Sequence, residues 1–214
     1  MLTTARELDQ LVDVAANLAR EAGDITLNYF RRLTSAAVSR KRDGSFVTTA
    51  DREAEAFLRR AIQREFPDDA ILGEEEGETK GKSNRRWIVD PIDGTYSFVH
   101  GVPFYAVLIG VEIDGEPTVG VINAPATGDL VAGARGRGCR WNDGAARVSE
   151  VATLGESLLL STDFGACERY GFGEAVRRLE RGAAQRRTWG DAYGHLLVAT
   201  GRAEIMLDPV MNVW

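Results

Sequence analysis

The chain has 214 residues, 44% hydrophobic and 27% charged, with a formal net charge of −6. This is enough chain for a substantial core, in one large domain or two small ones, and the composition is that of an ordinary soluble globular protein. The acidic balance argues against nucleic acid or an anionic membrane as the main partner, and no apolar run approaches the roughly eighteen residues of a membrane span.

The N-terminus, MLTTARELDQ, lacks a basic-then-apolar signal pattern, so a cytoplasmic location is expected. Two cysteines, Cys139 and Cys167, without metal-ligand spacing fit free thiols in a reducing compartment. Residues 4–32 predict a long amphipathic helix: Leu8, Leu11, Val12, Ala15, Leu18, Ala19, Ala22, Ile25 and Tyr29 recur in steps of three and four. Thr4 with Glu7 fits a capping box at its start. The polar stretch SRKRDGSFVTTAD follows, with Asp43-Gly44 as a turn. A second helix is expected from about Ala50 to Phe66, stopped by Pro67 and carrying Asp51 in its first turn.

AILGEEEG reads as a short strand breaking into three glutamates, and GETKGKSNRR as a mobile, charged loop. Trp87 to Val89 read as a strand ending at Asp90. Two apolar runs around Asp114-Gly115 signal a β-hairpin, and GDLVAGARGRGCRWNDGAARV continues the β character. Beyond about residue 150 the pattern alternates: SLLLST strand, FGEAVRRLERG helix, AQRRTWG loop or strand, DAYGHLLVATGR helix, AEIMLD strand. The expected fold class is α/β, with an α+β half over residues 1–145 and an alternating α/β half over 146–214.

The segment WIVDPIDGTYSFVHG, residues 87–101, poses the chemical question. A strand runs into two aspartates whose mutual repulsion raises their pKa values and destabilises the fold unless something neutralises them. Either they form a solvated turn, or a cation lies between them. Asp90, Asp93 and the intervening Ile92 carbonyl are hard oxygens that suit Mg²⁺. Gly94-Thr95 brings free N–H groups and a hydroxyl suited to a phosphate or a water. Glu74 to Glu76 end a separate strand, and carboxylates at strand ends can meet at one sheet edge. Alone, Asp-x-x-Asp is a common turn and a glutamate triplet a common surface loop; it is their joint occurrence after apolar strands that points to a divalent-metal site.

GEEEG, WIVDPIDGTYSFVHG and the upstream KRDGSFVTTAD resemble the three N-terminal signatures of the inositol monophosphatase family of Mg²⁺-dependent phosphatases. The C-terminal TWGDAYGHLLVATGRAEIMLDPVMNVW is most similar to its histidinol-phosphate phosphatase branch. The resemblance implies a layered αβαβα sandwich, usually as a homodimer, and a site with two to three Mg²⁺ ions. In it Glu74, Asp90 and the Ile92 carbonyl hold the first ion, Asp90 and Asp93 share the second, and Glu74 helps place a third. Thr95, paired with Asp51, orients or deprotonates the attacking water; Asp93, Gly94 and Thr95 meet the phosphate, and Lys41 is a supporting base. Asp208, Asp191 and Arg187 are the substrate candidates, and the two carboxylates favour the cationic L-histidinol phosphate over the uncharged ring of an inositol phosphate. Asp191 also reads as a helix N-cap, a role that can coexist.

The implied activity is hydrolysis of a small phosphate monoester, with L-histidinol phosphate as substrate in histidine biosynthesis. A broad inositol-1-phosphate phosphatase is the alternative, and a weakly active metal-dependent binding or regulatory protein a third reading. The same resemblance places an aspartate directly after Trp214 and a few dozen residues beyond; a chain ending at Trp214 is expected to lack one ligand of the second ion, to be poorly active and to be less stable. His100 reads as a turn residue, His195 as packing, the four tryptophans as core or interface, and RGRGCR as a solvated basic loop.

Overall fold

The apolar stripe of the first segment folds as α1 (Ala5–Tyr29), with Thr4 and Glu7 forming the expected reciprocal capping box. The computed structural model describes residues 4–42 and 44–214, so Asp43 of the expected turn lies outside the described residues. Around that position, β1 (Val38–Arg40) and β2 (Phe46–Thr48) pair antiparallel, where the sequence suggested only a polar stretch. Thr48 then caps α2 (Thr49–Glu65), and Asp51 closes a second capping box.

Eight strands build the larger sheet: β3 (Ala70–Gly73), β4 (Gly77–Thr79), β5 (Arg85–Asp93), β6 (Ala106–Ile113), β7 (Glu116–Ala124), β8 (Asp129–Ala134), β9 (Gly138–Trp141) and β10 (Gly144–Ala145). Their order is β10-β9-β8-β7-β6-β5-β3-β4. Neighbours are antiparallel except β3 and β5, which run parallel. A short helix, α3 (Thr95–Val99), follows β5. The β6–β7 hairpin turns on Asp114 and Gly115, with φ of 54° and 78°, the left-handed pair of a two-residue loop.

Two expectations fail here. The strand expected to end at Asp90 continues through Pro91 to Asp93. β3 pairs with β5 only as far as Val89, so the missing proline N–H breaks no bond on that side. On the other side, the three steps from Asp90 to Asp93 face two steps of β6, Leu108 to Ala106, which is a bulge. The loop expected to be mobile is also tied down: Gly77–Thr79 pair with β3, and the N–H groups of Lys82 and Ser83 donate to the Asp68 carbonyl at 2.6 and 2.9 Å.

The smaller sheet is parallel, in the order β12-β11-β13, from β11 (Leu158–Ser161), β12 (Gln185–Arg187) and β13 (Ile205–Leu207). Between these strands run α4 (Phe164–Arg169), α5 (Gly173–Gly182) and α6 (Asp191–Ala199). Alternation along the strands divides the core. Val107, Ile109 and Val111 face α1 and α2, whereas Ala106, Leu108 and Ile122 face Ala192 and Leu196 of α6. The far side of α6, with Leu197, packs on Leu160 and Met206 of the small sheet. The layers are thus the α1–α2 pair, the large sheet, α6 and the small sheet, a mixed α/β sandwich completed by α4 and α5. Burying side chains such as Trp87, Leu58 and Ile62, each fully enclosed, contributes about 2–3 kcal/mol apiece.

Trp87 is core, and Trp189 is exposed. The basic RGRGCR loop is solvated, as expected, and its exposed arginines also make surface ion pairs: Arg137 with Asp9 at 2.7 Å and Arg140 with Asp13 at 2.8 Å, linking the β8–β9 region to α1. Both cysteines are free thiols. Among the described residues no helix is long and apolar enough to cross a membrane.

Candidate active site

The parallel β3 and β5 end side by side, and the chain delivers carboxylates at both ends. The Glu74 N–H donates to the Val89 carbonyl at 3.3 Å, which fixes Glu74 beside the start of the β5 bulge. The bulge turns Asp90 into the interior, where it is 5% exposed and accepts from the Ile92 N–H at 3.0 Å. Burial first, then the charges of Asp93 and Glu74, push the Asp90 carboxyl well above its ordinary range. Asp93 is pushed up to about 6, chiefly by burial; the N–H groups of Ala192 and Gly94 work against that shift. Its Oδ2 accepts from the Ala192 N–H at 2.6 Å, so the large sheet supplies the carboxylate that caps α6.

Lys41, from the β1–β2 hairpin, sits 2.7 Å from Glu74 Oε1 and 2.6 Å from Glu75 Oε1. Burial disfavours its charge, but the two glutamates outweigh that and hold the ammonium above its ordinary range. Glu75 is raised by burial and lowered by Lys41. The supporting base expected at Lys41 is thus placed directly on the glutamates.

The expected pairing of Thr95 with Asp51 is not present. Asp51 Oδ2 is taken by the N–H and hydroxyl of Thr48, at 2.8 and 2.6 Å, because the capping box of α2 claims it. Its Oδ1 is buried with no hydrogen-bond partner. Burial drives the Asp51 carboxyl up to about 7. Thr95 instead donates to the Ile92 carbonyl at 3.0 Å. Gly94 between them has φ 83°, and a Cβ there would lie 2.8 Å from the Phe104 carbonyl and 3.2 Å from Asp191 Oδ2. Only glycine fits that corner.

The opposite wall comes from α6 and the small sheet. Gly190, not Asp191, is the N-cap residue of α6, so the capping role for Asp191 does not hold. Asp191 has φ 52°, left-handed backbone that strains a side-chain-bearing residue; its N–H donates to Thr162 Oγ1 at 2.8 Å. Burial, followed by Asp93 and Asp208, raises its carboxyl to about 7. Asp208 accepts from the Thr162 N–H at 3.3 Å and lies 3.5 Å from His195 Nε2. His195 is therefore a wall residue, where the sequence suggested packing; its position one turn after Asp191 was the available signal. Thr162 carried no sequence signal. Arg187 is not brought here: it is exposed on β12, donates to the Arg186 carbonyl at 2.6 Å and lies over Trp189. His100 ends α3 as a turn residue, with Nδ1 2.8 Å from the Tyr96 carbonyl.

Glu74, Asp90, Asp93, Asp191, His195 and Asp208 line one open cleft of about 930 Å³. Among the described residues no three carboxylate, imidazole or thiolate groups already stand in ligating geometry. Each is held by a protein donor instead: Glu74 by Lys41, Asp90 by the Ile92 N–H, Asp93 by the Ala192 N–H. The donor chemistry nevertheless fits a hard divalent cation. Glu74, Asp90 and Asp93 share one cleft, the charges of Asp93, Glu74 and Asp51 all act on the buried Asp90, and Asp51 Oδ1 is a buried carboxylate oxygen with no partner. A lysine bridging two glutamates marks the same demand for positive charge.

The sequence model of the inositol monophosphatase family matches residues 7–214. The chain is 44% identical over 203 residues to a histidinol-phosphatase of Chlorobaculum parvum, spanning 95% of this chain and 78% of that protein. It is 31% identical over 207 residues to the Nus factor SuhB of Xylella fastidiosa, spanning 95% of this chain and 74% of that protein. Among solved structures, the IMPase of Thermotoga maritima superposes with a TM-score of 0.79 at 32% identity, over 91% of this chain and 74% of that one.

Proposed function

The chain belongs to the inositol monophosphatase family of metal-dependent phosphatases, and from that premise we propose that it hydrolyses L-histidinol phosphate to L-histidinol and phosphate with Mg²⁺. The observation that carries this reading is the pairing of two acidic walls in one cleft: Glu74, Asp90 and Asp93 on one side, Asp191 and Asp208 on the other. The first wall suits metal ions and the phosphate they accompany. The second leaves negative charge facing the leaving group, which fits an alcohol bearing an amine and an imidazole.

In the proposed mechanism Glu74, Asp90, Asp93 and the Ile92 carbonyl would hold two to three ions. Bound Mg²⁺ supplies charge neutralisation for the phosphoryl oxygens and the leaving alkoxide and lowers the pKa of water. The Gly94 N–H and the Thr95 hydroxyl contact the phosphate. In this reading the Thr95 hydroxyl, released from the Ile92 carbonyl, orients the attacking water, and Asp51, whose Oδ1 has no protein partner, accepts the proton. Residues 1–145 carry this chemistry and 146–214 the recognition of the leaving group. The protein works as a cytoplasmic homodimer.

The test is Mg²⁺-dependent phosphate release from histidinol phosphate and inositol 1-phosphate, side by side. The expected preference for histidinol phosphate is a hundredfold or more, about 3 kcal/mol in transition-state binding. Equal or reversed rates would transfer the assignment to the second reading, an inositol-phosphate phosphatase, which the likeness to an IMPase favours. Absence of turnover on either substrate would remove both.

A further inference from the structure

Glu55 and Arg59 lie one and two turns beyond Asp51 on α2, away from the cleft, and both are buried, at 0% and 6% exposure. They form an ion pair at 2.9 Å. A buried pair of this kind adds little net stability, because desolvating two charges offsets their attraction, and an apolar pair would pack α2 against β3 as well. What an apolar pair cannot do is grip backbone. The Glu55 carboxylate accepts the N–H groups of Glu75 and Glu76 at 2.8 and 3.0 Å. The Arg59 guanidinium donates to the Gly77 carbonyl and, at 3.1 Å, to Thr79 Oγ1. Gly73 completes the arrangement: a Cβ there would overlap the Glu55 carboxylate and lie 2.8 Å from Arg59 Nη2. The turn 73–79 is thus clamped from the α2 side at Glu75, Glu76, Gly77 and Thr79.

The one residue of this turn that reaches into the cleft is Glu74. Its own N–H is fixed to the Val89 carbonyl, and the next two N–H groups end on Glu55. Its backbone is consequently held from both sides, and only its side-chain torsions remain free to answer Lys41 or a metal ion. We infer that Glu55 and Arg59 are positioning residues for Glu74, and that through the clamped turn they set the affinity of the site for divalent cations. The inference rests on the reading of Glu74 as a metal ligand.

The test compares Glu55→Gln and Arg59→Lys with Asp69→Asn. Gln is isosteric but presents an amide where two N–H groups and a guanidinium need an anionic acceptor; Lys keeps the charge and loses the fork to Gly77 and Thr79. Asp69 is the control, equally buried and holding Ser83, Arg85 and Trp87 at 2.6 to 2.9 Å, but at the opposite end of β3. Calorimetric titration with Mn²⁺ and Mg²⁺ in the absence of substrate, and the Tm of ion-free protein, are measured for each. Glu55→Gln is expected to weaken ion binding about 10- to 100-fold and to raise the half-saturating Mg²⁺ for phosphatase activity by the same factor, with kcat at saturating Mg²⁺ within about threefold of the parent. Asp69→Asn is expected to lower Tm and leave ion affinity alone. If Glu55→Gln does not fold, Arg59→Lys carries the same expectation. A Tm loss in Glu55→Gln or Arg59→Lys with unchanged ion affinity overturns the inference while leaving Glu74 a ligand. A parent protein that binds neither ion removes the ligand reading and the inference together.

Discussion

The carboxylates at the ends of β3 and β5 and those of the α6 wall share one cleft, yet the protein holds them by different means. Asp90 and Asp93 belong to a nine-residue strand of the large sheet, and a bulge turns them inward. Their surroundings raise their pKa values and give each little more than a backbone N–H in return. Asp191 is the first residue of a helix and Asp208 directly follows a three-residue strand, and they meet a threonine and a histidine. The first group is fixed on the backbone of a long strand, which suits ligands that must hold a set geometry for metal ions. The second stands at a helix start and beyond a short strand, where Asp208 has His195 beside it and Asp191 is itself raised to about 7 by burial and the charges of Asp93 and Asp208. A cationic ligand would relieve that repulsion, which suits recognition. Chemistry and selectivity should therefore separate by wall.

Asp90→Asn is the strongest way to break this comparison. Removing the most enclosed carboxylate of the first wall takes away a proposed ligand oxygen and part of the mutual repulsion at once. Phosphatase activity at saturating Mg²⁺ should fall by on the order of a thousandfold on both substrates, while the Tm of ion-free protein rises. A lower ion-free Tm would mean that the Asp90 hydrogen bond to Ile92, rather than repulsion, dominates that corner.

Asp208→Asn and Asp191→Asn should act on selectivity. Each is expected to reduce kcat/KM for histidinol phosphate about 10- to 100-fold through loss of a charge-assisted contact, with a change of only a few-fold on inositol 1-phosphate. Equal losses on both substrates would show that the α6 wall serves the phosphate as well, and the two walls would become one.

The carboxylates of the first wall were legible in the sequence because their signal is local: strand, Asp-Pro-Ile-Asp, Gly-Thr, with a glutamate triplet after another strand. The α1 stripe, its cap and the Asp114-Gly115 hairpin were legible for the same reason, since periodicity and turn chemistry are written in adjacent residues. What escaped is set by tertiary approach. The continuation of β5 past Pro91 depends on where β3 stops pairing. Asp51 is claimed by Thr48 instead of Thr95 because its own capping box is nearer. His195 becomes a wall residue only when β13 brings Asp208 beside α6, and the Glu55–Arg59 clamp exists only once α2 lies on the β3–β4 hairpin. Arg187 shows the reverse error: its charge was suggestive, and its strand points it elsewhere.

The pH dependence of stability offers a smaller effect with a defined sign. The carboxyls of Asp51 and Asp191 both rise to about 7 from an ordinary 3.8, with burial the leading cause. A group whose pKa is raised on folding binds more protons in the native state than in the unfolded one. Its contribution is therefore complete below pH 4 and is lost as pH climbs through about 7. Ion-free protein should lose stability between about pH 4 and 7, by roughly 1–2 kcal/mol for Asp191 after allowance for solvent access, and Asp191→Asn should flatten the curve. Denaturant midpoints across that range, with and without Mg²⁺, read this directly. An unchanged slope in Asp191→Asn would place the titration on Asp51 and the large-sheet carboxylates instead.

The smallest expected effect is also the sharpest check on where recognition ends. Arg187 carries the charge one would choose for a phosphate, and its strand lies in the same small sheet as Asp208. Yet β12 is an edge strand paired only with β11, its residues are exposed, and the guanidinium is spent on the Arg186 carbonyl and the face of Trp189. An exposed side chain in such a place changes stability by about half a kcal/mol or less on truncation. Arg187→Ala should leave kcat/KM within about twofold on both substrates, because in the proposed mechanism the anion is met by metal ions and the Gly94-Thr95 corner, not by a basic rim. A tenfold loss on both would mean that β12 swings its arginine into the cleft when phosphate arrives. The small sheet would then hold both ends of the substrate, and the separation of chemistry from selectivity by wall would fail at its simplest point.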